Sequence, residues 1–212
     1  MEDKMTNKSD EKRNNNNLEE YLSDETVEIM FKKAQEYKKQ VRSRWISKEI
    51  RVALEQVILA IQSNQPWGEL LLNLPGVEEV LSGRDLRGAP LTHINFKRAD
   101  FKTVDLYCAN LSEANIESGD FRGSHLIDCN LSYCNLVNAN FEDCLMGGVN
   151  LEEANLSKAQ LSNASLLGAN LKGANFSGAN LTNANLAGAK IEGASFDGAI
   201  LDGALFRELA KE

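Results

Sequence analysis

From Leu86 to Phe206 a large apolar residue stands at every fifth position without a slip, 25 centres in all. In ANLKGANFSGANLTNANLAGAK, residues 169–190, Leu171, Phe176, Leu181 and Leu186 each follow an alanine by two positions and an asparagine by one. A helix repeats near 3.6 and a strand near 2, so neither explains a period of five. Two residues before each centre, from Ala89 on, the side chain is Ala, Gly, Ser, Cys or Val, with Ile94 the one bulky exception. Two inward positions per five residues, one large and one small, suit a chain that turns a corner every five. Four such units close a square coil of twenty residues, and coils stack by backbone hydrogen bonds at about 4.8 Å. Each buried Leu centre contributes roughly 1.5–3 kcal/mol, so the column of centres is the main source of stability.

The corners carry their own signal. Ten of the 15 glycines fall two residues after a centre, from Gly88 to Gly203. If the corner starts at the centre, this is the third turn residue, which takes positive φ in a type II turn. Asn138, Asn163 and Asn183 tolerate the same conformation. Between Leu91 and Met146 the place holds residues such as Thr103, Glu113, Asp128 and Tyr133. A different turn and less regular early coils are expected there.

Upstream the spacing changes. Val27, Met30, Phe31, Ala34, Tyr37, Val41 and Trp45 follow steps of three and four after a cap at Ser23-Asp24-Glu25. Ile46, Ile50, Ala53, Leu54, Val57, Ile58 and Ile61 continue on a displaced stripe, which predicts two helices with a break around Ser43 to Ser47. Pro66 and Pro75 punctuate shorter pieces, with a helical turn expected at Gly76 to Leu81. Residues 1–17 end in NNNN and predict a disordered tail. The expected organisation is a tail over 1–17, a helical domain and N-terminal cap over 18–80, the coil over 81–206 and a short cap over 207–212.

The repeated units, ADF at 99–101, ANL at 109–111, ANF at 139–141 and GANLTNANL at 178–186, resemble the pentapeptide-repeat family, whose units read roughly A(D/N)LXX. The resemblance covers 84–206. It implies a β-solenoid, a right-handed quadrilateral parallel β-helix of about six coils, here preceded by an α-helical domain. Such a fold leaves the role open.

Composition narrows the role by exclusion. The start is charged, with no apolar leader, and the stretch Val52 to Ile61 is interrupted by Glu55 and Gln56, so a cytoplasmic chain without a transmembrane segment is expected. The net charge of −8 argues against a general nucleic-acid or anionic-membrane binder. Cys129, Cys134 and Cys144 take the small inward place as compact hydrophobes, while Cys108 is expected to point outward. His93 and His125 are one coil plus twelve residues apart and cannot share a metal. No nucleophile, base and orienter come together, and no phosphate-binding loop occurs. The chain reads as non-enzymatic, with no catalytic residue, metal or cofactor.

Attention therefore falls on surfaces. On the side whose centres are 86, 106, 126, 146, 166, 186 and 206, the flanking residues include Tyr107, Ile127, Leu145, Leu167, Ala187 and Leu205; the other sides are almost all polar. Contiguous exposed apolar groups mark something that covers them. The upstream helices need an apolar surface of their own, so they are expected to fold back over Tyr107, Ile127 and Leu167, leaving Leu145 or Leu205 for a protein partner. Residues 32–51 hold Lys32, Lys33, Lys38, Lys39, Arg42, Arg44, Lys48 and Arg51 against Glu36 and Glu49. This basic surface is read as a solvated helix face, with nucleic acid or an anionic membrane as the alternative.

The ends of an open coil need cover. Gly76 to Gly83 can supply it at one end, and Phe206 with Leu209 at the other. By resemblance to some family members, Leu205, Phe206 and Leu209 instead make a two-fold homodimer. The resemblance also implies an alternative role, mimicry of duplex DNA toward a type II topoisomerase. Over six coils DNA carries on the order of 17 phosphate charges, whereas residues 81–212 hold 16 Asp+Glu against 11 Lys+Arg. An interaction or scaffold protein with a regulatory binding role is the expectation that remains.

Overall fold

The computed structural model describes residues 24–67, 70 and 84–206. Its contacts divide the chain into two units, residues 1–37 and 38–212, each described by itself. Helix α1 is Asp24–Ser43. In the first unit it presents Ile29, Met30 and Phe31 to solvent, and Glu28 pairs with Lys32 one turn on at 2.9 Å. The expected cap at Ser23, the turn at Gly76 to Leu81, the tail and the C-terminal cap with Leu209 lie outside the described residues.

The second unit is built on the period of five. Every centre from Leu86 to Leu186 is buried. Parallel bridges join residues twenty apart, from Asp85–Asp105 to Asn185–Leu205. Coil spacing shows in the aromatic column, where Phe101, Phe121 and Phe141 stack at 4.9 and 4.6 Å with rings within 12° of parallel.

Each corner is one β-turn. The amide two residues before a centre donates to the carbonyl of the previous centre, as Ala89 does to Leu86 at 3.0 Å. The third turn residue has positive φ at every corner from Gly88 to Gly203, in ten glycines and fourteen other residues. The expectation of a different turn in the early coils is therefore overturned: Thr103, Glu113, Asp128 and Tyr133 have φ of 54°, 62°, 56° and 59°. Closing a twenty-residue square imposes the turn whatever the residue, although left-handed backbone costs a non-glycine about 1–2 kcal/mol.

Where asparagine stands before a centre, it has a function that the period alone did not reveal. Its side-chain oxygen accepts the amide two residues on, as in Asn110 to Ser112 at 3.2 Å and Asn140 to Glu142 at 2.9 Å. Its amide group then donates to the same position one coil earlier, in a ladder Asn170–Asn150–Asn130–Asn110 at 2.9, 3.2 and 3.0 Å. Aspartate performs the first of these roles but cannot donate, which accounts for the (D/N) degeneracy of the unit.

The start of the coil is covered by helix α2, Lys48–Gln62. Ser47 caps it, its Oγ accepting the Ile50 amide at 3.3 Å, so the predicted break falls between Ser43 and Lys48. Ile50, Leu54, Val57 and Ile61, with Trp67, form one buried cluster with Leu86 and Leu91. In a coil with none before it, carbonyls flanking each centre have lost their partners. Arg44, the Trp45 indole and Gln62 donate to three of them, at Asp85, Arg87 and Asn95, at 3.3, 2.8 and 3.1 Å. Pro90 suits this edge because an amide there would face no acceptor.

Candidate interaction surfaces

The apolar ladder is on the surface. Ile127, Leu145, Leu167 and Leu205 are between 37% and 49% exposed, while Tyr107 is half-buried. Ile127 and Leu167 stand just after their centres, and Leu145 and Leu205 just before theirs, at bridge positions against His125 and Asn185. The expected fold-back over Ile127 and Leu167 is not what the structure shows. Helix α2 spends its apolar stripe on the first coil, in one cluster with Leu86 and Leu91. The last turn of α1 reaches this side. There the Val41 carbonyl lies 2.6 Å from where a Cβ on Gly88 would be, and Lys38 pairs with Asp128 at 2.9 Å.

Cys108 lies at the corner one coil on from Gly88 and is buried, contrary to the expected outward thiol. Burial raises its pKa, against opposing contributions from Tyr107, Lys38 and Arg42. Cys129, Cys134 and Cys144 are buried in the small inward place. Burial pushes the Cys134 and Cys144 thiols up to about 12, and their Sγ atoms donate to the carbonyls of Leu111 and Phe121 at 2.9 and 2.8 Å. These are packing residues. His93 pairs with Glu113 at 3.2 Å, and among the described residues no cluster of His, Cys, Asp and Glu could hold a metal.

The basic run is dispersed by its contacts. Lys32 pairs within its helix and Lys38 with Asp128. Arg44 leaves the surface altogether: its side chain is 8% exposed and its guanidinium grips both carboxylate oxygens of Asp85 at 2.6 and 2.8 Å. Arg87 binds the same carboxylate at 2.6 Å. Burial works to raise the Asp85 pKa, but hydrogen bonds from Arg44 and Arg87 outweigh it and hold the group far below the usual carboxylate range. Lys33, Lys39 and Arg42 make no salt bridge to another described residue. Sequence spacing could not expose the Arg44–Asp85 clamp, because its members are 41 residues apart and belong to different periodicities.

Some acidic groups of the early coils are paired locally. Glu117 pairs with Lys97 at 2.9 Å and Asp120 with Arg122 at 2.8 Å. No described helix is long and apolar enough to cross a membrane.

Compared with protein families, the sequence matches "Pentapeptide repeats" in eight copies, within residues 85–123, 109–148, 134–173, 144–183 and 169–208. No curated protein matches. Among solved structures, a pentapeptide repeat protein of the Arabidopsis thaliana thylakoid lumen is 41% identical over 40% of this chain and 59% of its own, with a TM-score of 0.39. Rfr23 from the cyanobacterium Cyanothece 51142 is 37% identical over 50% of this chain and 65% of its own, with a TM-score of 0.28. QnrB1, a plasmid-mediated fluoroquinolone resistance protein, is 24% identical over 57% of this chain and 64% of its own, with a TM-score of 0.39. In each case the present chain spans less than two thirds of the other's length.

Proposed function

Since the chain belongs to the pentapeptide-repeat family, whose fold serves unrelated roles, we propose from its surface that it is a non-catalytic scaffold that docks a protein partner. The observation that carries this reading is the exposed apolar ladder Ile127, Leu145, Leu167 and Leu205 on one side of a coil. Burying that ladder against a partner supplies association energy that the polar sides lack. Asn stands at bridge positions such as 130 and 150, and Ser at post-centre positions such as 157 and 177, so a variant can restore the repeat while removing the apolar groups. Affinity capture with full-length wild type and with the I127S/L145N/L167S variant tests the reading. A partner retained by wild type and lost by an equally stable variant supports it; equal capture by both overturns it.

A second observation supports self-association at the far end. Leu186 is 2% exposed, whereas Phe206 is 43% exposed and Ile191 and Leu201 are also open. The amides of Ile191, Phe196 and Leu201 donate to no described residue. A second copy, meeting the end at Leu205 and Phe206, is the occupant this reading assigns. Topoisomerase binding by DNA mimicry has less support, because residues 81–212 hold 16 Asp+Glu against 11 Lys+Arg, a small surplus beside the phosphate charge of DNA; absence of gyrase inhibition or protection removes it.

A further inference from the structure

We propose that the cleft between the α1–α2 elbow and the first three coils binds a small organic anion, an aryl carboxylate or aryl phosphate. The cleft encloses about 610 Å³, within the range of roughly 300–1,000 Å³ typical of small-molecule sites. Arg42 from the last turn of α1 and Arg51 from the first turn of α2 both line it. Neither makes a salt bridge to another described residue. The nearby carboxylates are already engaged, Asp85 by Arg44 and Arg87 and Asp128 by Lys38. The two guanidiniums therefore give the cleft a net positive charge, and guanidinium is the side chain best matched to carboxylate or phosphate oxygens.

A third donor points the same way. The asparagine ladder runs from Asn170 down to Asn110, each side-chain amide donating to the oxygen one coil earlier. At Asn110 the ladder stops, because Pro90 holds the next position and has no side-chain acceptor. The Asn110 amide group donates to no described residue, and Asn110 and Pro90 both line the cleft. Two cations and one open amide donor thus line a cleft whose apolar surface comes from Ile46, Pro90 and the edge of the buried Trp45. An anion on an aromatic body satisfies both halves of this lining. The site shares no residue with the apolar ladder, so it stands or falls independently of partner docking.

The probes are 1-naphthyl phosphate, 1-naphthoate and neutral 1-naphthol, titrated calorimetrically into full-length protein. The two anions are expected to bind at one site per chain and naphthol not to bind. A preference for naphthyl phosphate assigns a phosphoryl ligand, and a preference for naphthoate assigns a carboxylate. R42Q/R51Q is expected to weaken both anions by roughly tenfold or more, since each charged hydrogen bond lost is worth about 1.5–3 kcal/mol. Pro90→Asn extends the ladder by one rung, occupies the Asn110 donor and narrows the cleft, so it too weakens binding while the fold is kept. The proposal is overturned if naphthol binds as tightly as the anions, if no probe binds at millimolar concentration, or if anion affinity is unchanged in both variants.

Discussion

At the scale of single residues, the turn conformation places strain where the sequence does not relieve it. Thr103 is β-branched and has φ of 54°, a region such residues rarely enter. Relief of that strain is worth about 1–2 kcal/mol, and the extra unfolded-state freedom of glycine takes back about 0.4–1 kcal/mol. Thr103→Gly should therefore stabilise the protein by roughly 0.5–1 kcal/mol in urea denaturation; a lower midpoint refutes the assignment of strain. The four thiols make a second expectation. Buried and held in their protonated form, they should resist Ellman's reagent in native protein at pH 8 and react fully in guanidinium. Rapid native labelling of any one would contradict its packing role. The centres and glycines were legible because each is dictated by its own side chain. The positive φ at Thr103 and Tyr133 was not, because the closed coil dictates it and the residue merely tolerates it.

At the scale of elements, the cap depends on one buried carboxylate. Asp85 accepts from Arg44 and Arg87, and the Nε of Arg44 is already buried without a partner among the described residues. Asp85→Asn leaves the Arg44 charge uncompensated and should destabilise by about 3–5 kcal/mol, read as a lower urea midpoint and earlier proteolysis in α2. Arg44→Met with Asp85→Asn should recover much of that loss, since the double variant no longer buries the uncompensated Arg44 charge. The pH dependence has a definite sign. Because the folded pKa of Asp85 is lowered, its contribution is fully present above the unfolded value of about 3.9 and is lost as pH falls below it. Wild type should lose stability on acidification through that range more steeply than Asp85→Asn. The two helices and the break around Ser43 to Ser47 followed from the displaced apolar stripe, whereas the Ser47 cap did not. What α2 covers did not, since an apolar stripe announces burial without naming its partner. The ladder at Ile127 and Leu167 and the first coil competed for it, and the first coil offered both a continuous apolar column and carbonyls in need of donors.

At the scale of the molecule, the two ends of the coil differ. The first coil gives its apolar column to α2 and its carbonyls to Arg44, Trp45 and Gln62. The last described coil leaves Ile191, Leu201 and Phe206 open, with Glu192, Asp197 and Asp202 exposed around them. An apolar plug inside a rim of net negative charge, Glu192, Asp197 and Asp202 against Lys190, has two opposing tendencies toward a second copy: burial of the plug draws copies together, and like net charges on the rims push them apart. Salt screens the second and leaves the first, since the Debye length falls from about 10 Å at 0.1 M to about 3 Å at 1 M. Sedimentation velocity should therefore show self-association that strengthens with added salt. Phe206→Glu should abolish it at every ionic strength, and that position is the one to change because Leu205 belongs to the ladder as well. I127S/L145N/L167S should leave it intact, which separates the end from the side. A wild-type chain that stays monomeric in high salt would mean that the last coil has its cover within the same chain. The ladder would then be the extended apolar surface that the described coil still offers to another molecule.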